Sequence, residues 1–183
     1  MIQSAALLMR ERGVEATSFS EVLAHSGAPR GSIYHHFPNG KAQLIEEATR
    51  YAGDFIAAGL AAALADQDFV SALRSFAAGW RQILRESDFE AGCPVVAATL
   101  EGNQVPTARK AAGEAFSRWT EILGAALKQH VPARRARSLS TLIVAAIEGA
   151  VIVARAQQSS TPLSQVTNEL EAIITSALTS TGR

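Results

Sequence analysis

The sequence predicts an all-α protein of about nine helices: a three-helix head built on a helix-turn-helix, followed by a helical body that binds ligand and dimerises. Three observations carry this. Almost every segment repeats apolar residues at three- and four-residue steps, and no stretch alternates as a strand would. Glycine, proline and short polar residues fall between those segments, where helices stop and start. Two short helical patterns flank a glycine within the first forty residues. We place the head at residues 1–45 and the body at residues 46–183.

Each element has its own signal. Ile2 to Arg12 reads as a first helix stopped by Gly13. Ser18-Phe19-Ser20-Glu21 matches a capping box, in which Ser18 accepts from the backbone and Glu21 reaches back, so a second helix runs from about Phe19 to Ser26. Gly27 permits a sharp turn. Pro29 suits the first turn of a third helix, about Pro29 to His36, because its missing N–H is not needed there. Asn39 can cap a fourth helix from about Gly40 into the 60s, and Asp68 opens a fifth carrying Phe69, Leu73, Phe76, Trp80 and Leu84 as one stripe. Val95 to Glu101 is a brief helix, Pro106 begins another, and Ala133 to about Gln157 is long and apolar. Ser159-Ser160-Thr161-Pro162 turns the chain into a last helix. The tail from Thr179 to Arg183 is expected to fray.

Charge and composition exclude several classes. The 183 residues carry 17 Lys plus Arg and 17 Asp plus Glu, so a protein that coats nucleic acid non-specifically is disfavoured, although a local basic patch is not. The one cysteine, Cys93, forms no internal disulfide, which fits a cytoplasmic location. Ile2 to Met9 is too short for a cleavable leader and meets Arg10, Glu11 and Arg12 at once. The longest apolar run, Leu139 to Ala154, is interrupted by Glu148 and reads as a buried or interfacial helix, not a membrane span. His35, His36, His130 and Cys93 lack the short paired spacing of a metal site, so no metal and no cofactor is expected.

The informative stretch is Thr17 to Phe37, TSFSEVLAHSGAPRGSIYHHF. In a helix-turn-helix the second helix lies in the DNA major groove, with the first crossing above it. Val22, Leu23, Ile33 and Phe37 are the apolar anchors for that crossing, and Ala24, Gly27 and Ala28 are small enough for close approach. Arg30, Ser32, Tyr34, His35 and His36 remain for solvent or DNA, while His25 is a solvated residue of the supporting helix. Lys41 stands at the start of the fourth helix, where its charge and free backbone N–H groups can hold a phosphate. No Asp or Glu occurs from Val22 to Ile45, so this side of the head is locally positive.

These residues resemble the TetR family of bacterial regulators: a G-x-x-A-T-S run, a small-residue turn, then R-G-S-I-Y-H-H-F and K-x-x-L ending at Leu44. The resemblance implies an all-α homodimer, a small ligand that weakens operator binding, and DNA contacts at Ser18, Pro29, Arg30, Ser32, Tyr34, His35 and Lys41. Family members usually carry a basic arm before the first helix; here the helical pattern begins at Ile2. Gly92-Cys93-Pro94-Val95, Leu100-Glu101-Gly102 and Pro38-Asn39-Gly40-Lys41 are similar to the branch that contains the lincomycin-resistance regulator of Bacillus.

In the body, both tryptophans and five of the seven phenylalanines suggest an apolar pocket between helices. Phe76, Trp80, Cys93, Phe116, Trp119 and Glu148 are the candidate ligand residues, with Arg81, Glu101, Asn103 and Arg118 as weaker polar ones. Leu142, Ile143, Ala146, Ile147, Ala150 and Val151, then Val166, Leu170, Ile173 and Ile174, predict that the last two long helices pair between two chains. The expected partners are therefore a double-stranded DNA operator, a small apolar or aromatic effector and a second copy, with no membrane. The alternative is a helical small-molecule carrier without sequence-specific DNA binding. An enzyme is not expected, because no nucleophile–base pair, phosphate loop or metal spacing is present.

Overall fold

The computed structural model describes residues 1–100 and 105–179. Glu101, Gly102, Asn103 and the last four residues of the expected frayed tail lie outside the described residues. Among those described there are nine helices and no strand: α1 (Ile2–Ala16), α2 (Phe19–Ser26), α3 (Ser32–His36), α4 (Gly40–Asp66), α5 (Phe69–Glu86), α6 (Pro94–Leu100), α7 (Pro106–Leu127), α8 (Ala133–Gln157) and α9 (Thr161–Thr179). The chain forms two compact units, residues 1–55 with 90–115 and residues 56–89 with 116–183. The expected head at 1–45 lies inside the first, but the units do not divide at residue 45. The first part of α4 belongs to one and the rest to the other, and α7 is shared likewise.

In the first unit α1 packs on α6 and α2. Gly13 breaks the α-helical path inside α1 at φ 81°, ψ 174°, where the sequence placed a stop. The buried Thr17 hydroxyl donates to the Gly13 carbonyl at 2.8 Å, so a group freed by the break is satisfied. The Gly92 N–H donates to the Arg10 carbonyl at 2.7 Å and ties the approach to α6 onto α1. Arg50 of α4 is paired with Glu46 and with Glu114 of α7, and these carboxylates raise the guanidinium above its ordinary pKa.

The closest helix approach in this unit is at Gly53, where an added Cβ would stand 2.6 Å from the Ala115 Cβ. Two effects oppose each other in Gly53→Ala. Alanine gains about 1 kcal/mol of helix propensity, while forcing a methyl into packed atoms costs about 1–3 kcal/mol. The Ala115 methyl sits directly on backbone and cannot swing away. The expected outcome is a net loss of stability, read as a lower denaturant midpoint at unchanged m-value.

The second unit packs α8 on α9, and α5 on both. Asp68 caps α5 as expected: its carboxylate accepts from the Val70 N–H at 3.0 Å and the Ser71 N–H at 3.1 Å. The Ser71 hydroxyl donates to the same carboxylate, and these bonds hold its pKa below the ordinary carboxylate value. The stripe of α5 buries Phe69, Leu73, Trp80 and Leu84 and leaves Phe76 half-exposed. By length and composition α8 could cross a membrane. Here one face of it, including Ile143, Ile147, Ala150, Val151 and Ala154, is buried within the unit.

That burial changes the expectation for pairing. Ile143, Ile147, Ala150, Val151, Leu170 and Ile174 are core residues of their own subunit. The apolar residues left at the surface of these two helices are Leu142, Ile152, Val153 and Ile173. Leu142, Ala145, Gly149, Ile152 and Ala156 fall at alternating three- and four-residue steps, on one stripe of α8.

Candidate functional site

The head is built from short elements fixed by caps and a few apolar anchors. Ser18 accepts from the Glu21 N–H at 3.2 Å, as its half of a capping box should. Glu21 does not reach back. Its carboxylate meets Arg12 at 2.8 Å, and the Ser18 N–H instead donates to the Ala16 carbonyl at 3.0 Å. A cationic partner on α1 has outcompeted the neutral back-bond.

Gly27 ends α2 in the left-handed region, at φ 68° and ψ 11°, and its N–H donates to the Leu23 carbonyl. A Cβ there would meet nothing within 4 Å, and Ala24 is exposed. The glycine is therefore required by its φ and not by close approach. Gly27→Ala is expected to destabilise the chain by about 1–2 kcal/mol, read as a fall of about 2–4 °C in Tm per kcal/mol.

The third helix is shorter than the sequence suggested. Pro29 to Gly31 form a turn, and the helix begins at Ser32, whose N–H and hydroxyl donate to the Pro29 carbonyl at 3.0 Å and 2.7 Å. Proline fixes φ for the turn as readily as for a first helical turn. Ile33 and Phe37 are buried, Val22 is fully buried opposite them on α2, and Leu23 is half-buried. The same short segment exposes Pro29, Arg30, Tyr34, His35 and His36 and leaves Ser32 half-exposed. Tyr34 is 69% exposed although large and aromatic. Its ring lies edge-on to Phe19 at 5.6 Å and 79°, so α2 sets the direction in which the phenol projects.

Two holding residues escape a reading of the sequence. Phe19 contacts both Tyr34 and, at 6.5 Å, Phe37, which makes it the hinge-pin between α2 and α3. Its only sequence signal was an apolar residue just after a cap. Gln43 donates to the His36 carbonyl at 3.3 Å and accepts the Asn39 N–H at 3.0 Å, thereby closing the turn into α4. Lys41 donates to the Glu15 carbonyl at 2.7 Å, near the end of α1. Its ammonium is thus held beside the head by a contact 26 residues away in sequence.

The second unit contains a cavity. It encloses about 470 Å³ including its open mouth, of which about 30 Å³ is wide enough to seat the centre of a water molecule. Phe76, Trp119 and Glu148 come together on its wall, with residues from α4, α5, α7 and α8. Trp80, Cys93 and Phe116 are not among the lining residues. Trp80 is buried in the core, Phe116 is half-exposed and edge-on to Trp119 at 5.1 Å, and Cys93 belongs to the first unit, buried beside the start of α6. Arg118 is exposed and Arg81 half-exposed, and neither lines the cavity. No cluster of three or more metal-ligating side chains occurs among the described residues.

Comparison with known proteins places this arrangement. Residues 1–48 match the model of bacterial regulatory proteins of the tetR family. Residues 70–169 match that of the transcriptional regulator LmrA/YxaF-like C-terminal domain. An HTH-type transcriptional regulator of Mycobacterium tuberculosis is 40% identical over 185 residues, covering 97% of this chain and 94% of the relative. The HTH-type transcriptional regulator LmrA of Bacillus subtilis is 30% identical over 178 residues, covering 92% and 91%. In fold, the chain is similar to a TetR regulatory protein from Rhodobacter sphaeroides, with a TM-score of 0.83 at 22% identity over 93% of this chain and 95% of that one. A TetR regulator from Legionella pneumophila gives 0.80 at 21% identity, with 94% of each chain covered. Regulators of this kind bind DNA and dimerise, and they are not enzymes. The chain belongs to the TetR family of bacterial transcriptional regulators, with a body of the LmrA/YxaF-like type.

Proposed function

We propose that this regulator is a cytoplasmic homodimeric repressor, released from a palindromic operator by a small apolar or aromatic effector. One observation carries the DNA half of this reading. A five-residue helix buries Ile33 and displays Tyr34, His35 and His36, with Arg30 exposed just before it. Apolar surface fixes the helix from behind, and the polar row is left for bases and phosphates. Ser18, Pro29, Ser32 and Lys41 supply the remaining contacts. Lys41 exchanges the Glu15 carbonyl for a phosphate when DNA is present.

The body, residues 46–183, joins two copies through the surface of α8 and α9 marked by Leu142, Ile152, Val153 and Ile173. The cavity supports the effector half, because it is mostly apolar and already bounded by four helices. About 30 Å³ accommodates roughly two waters, so an effector must spread the wall to enter. α4 is the lever. One unbroken helix holds both Lys41 and the cavity residues Leu60, Ala63 and Leu64. An effector that prefers the spread wall lowers DNA affinity by its differential binding to that state.

Selection of bound DNA from a random pool by the purified full chain tests the proposal. The expected winner is an inverted repeat with half-sites about 10–10.5 base pairs apart, or a small multiple of that spacing. Recovery of no enriched sequence at moderate salt would favour a carrier that does not read DNA.

A further inference from the structure

The cavity wall is almost wholly apolar. Twelve of its thirteen lining residues are Leu, Ile, Val, Ala, Phe or Trp, and the thirteenth is Glu148. Glu148 is 9% exposed and sits midway along α8. No Lys, Arg or His occurs among the lining residues. Phe69, Phe76 and Trp119 bring three aromatic rings to the same wall.

We infer that this cavity selects an organic monocation, a protonated or quaternary amine on an apolar or aromatic body, with its charge against Glu148. The inference rests on the reading of the cavity as the effector site and adds the class of effector. A carboxylate placed in apolar surroundings is costly, and the cost grows when an entering ligand displaces water from it. A neutral ligand adds to that cost, and an anion adds repulsion as well. A cation offsets it, and aromatic faces attract the same charge. The small cavity limits the ligand to one compact charged group. Ala63, Leu64, Phe76 and Val144 are half-exposed and form the side through which the wall can spread.

Two isosteric probes isolate the charge: benzyltrimethylammonium, and neopentylbenzene, in which carbon replaces the nitrogen. Each is titrated into the full-length protein and followed by tryptophan fluorescence, with phenylacetate as the anionic arm. The cation is expected to bind at least tenfold more tightly than the neutral probe, and phenylacetate not to bind. In Glu148→Gln that preference should shrink to within twofold. Val144→Lys, which adds a cation at the half-exposed rim, should abolish binding of the ammonium probe and keeps the test decisive if Glu148→Gln fails to fold. Neutral binding as tight as cation binding would overturn the monocation assignment while leaving the effector cavity standing. The same holds if Glu148→Gln keeps the preference. Absence of binding by all three probes would overturn the assignment and the effector cavity together.

Discussion

Tyr34→Ala is expected to lower operator affinity by about 10- to 100-fold, the range spanned by loss of one strong DNA contact, with Tm and dimerisation nearly unchanged. The separation of the two readouts follows from the geometry. Tyr34 is 69% exposed, so its removal opens no cavity in the core. Its main internal contact is the edge of Phe19, a pair worth about 0.5–1.5 kcal/mol. Ile33, its neighbour, is fully buried and keeps α3 anchored. Phe19→Leu should reproduce part of the loss, because the phenol would no longer be aimed. Electrophoretic retardation and thermal melts on the same preparations check both outcomes. A variant that melts early in proportion to its loss of binding would mean that Tyr34 is structural.

Ile152→Glu is expected to convert the dimer to monomer at micromolar concentration and to reduce operator affinity by at least about 100-fold, since the second head loses the high effective concentration that linkage provides. Ile152 is 49% exposed within the subunit, so the substitution leaves the fold of one chain intact. In a paired α8 the same side chain would be buried, and a carboxylate there would lie unpaired against its own symmetry mate. Sedimentation velocity gives the mass, and circular dichroism checks the helix content. An intact dimer would place the interface elsewhere.

The comparison of these two sites shows what the sequence made legible. Helix order came from punctuation: Gly13, Gly27, Pro106, Pro132 and the Ser159–Pro162 turn lie at or near element boundaries. The anchors Val22, Ile33 and Phe37 were legible because a short helix has only one apolar side. The pairing face of α8 was not. Ile143 and Ile152 are chemically the same, and periodicity cannot tell which faces α9 and which a second chain. The cavity was half-legible for a similar reason. A stripe of aromatics announces a buried side, but only packing decides that Phe76 and Trp119 face the space while Trp80 fills the core. The tie from Lys41 to Glu15 and the diversion of Glu21 to Arg12 depend on how α1 packs against later elements. Nothing local signals either.

That the exposed row of α3 faces DNA can be read directly by photo-crosslinking. The native cysteine, Cys93, is buried, so a thiol introduced by His35→Cys can be labelled selectively with a short azidophenyl reagent. Ala24→Cys, exposed on α2, serves as the control within the same head. Illumination of the selected operator complex should give a covalent DNA adduct from position 35 and little from position 24. An adduct from position 24 with none from position 35 would contradict the account, since the opposite face of the head would then meet the duplex.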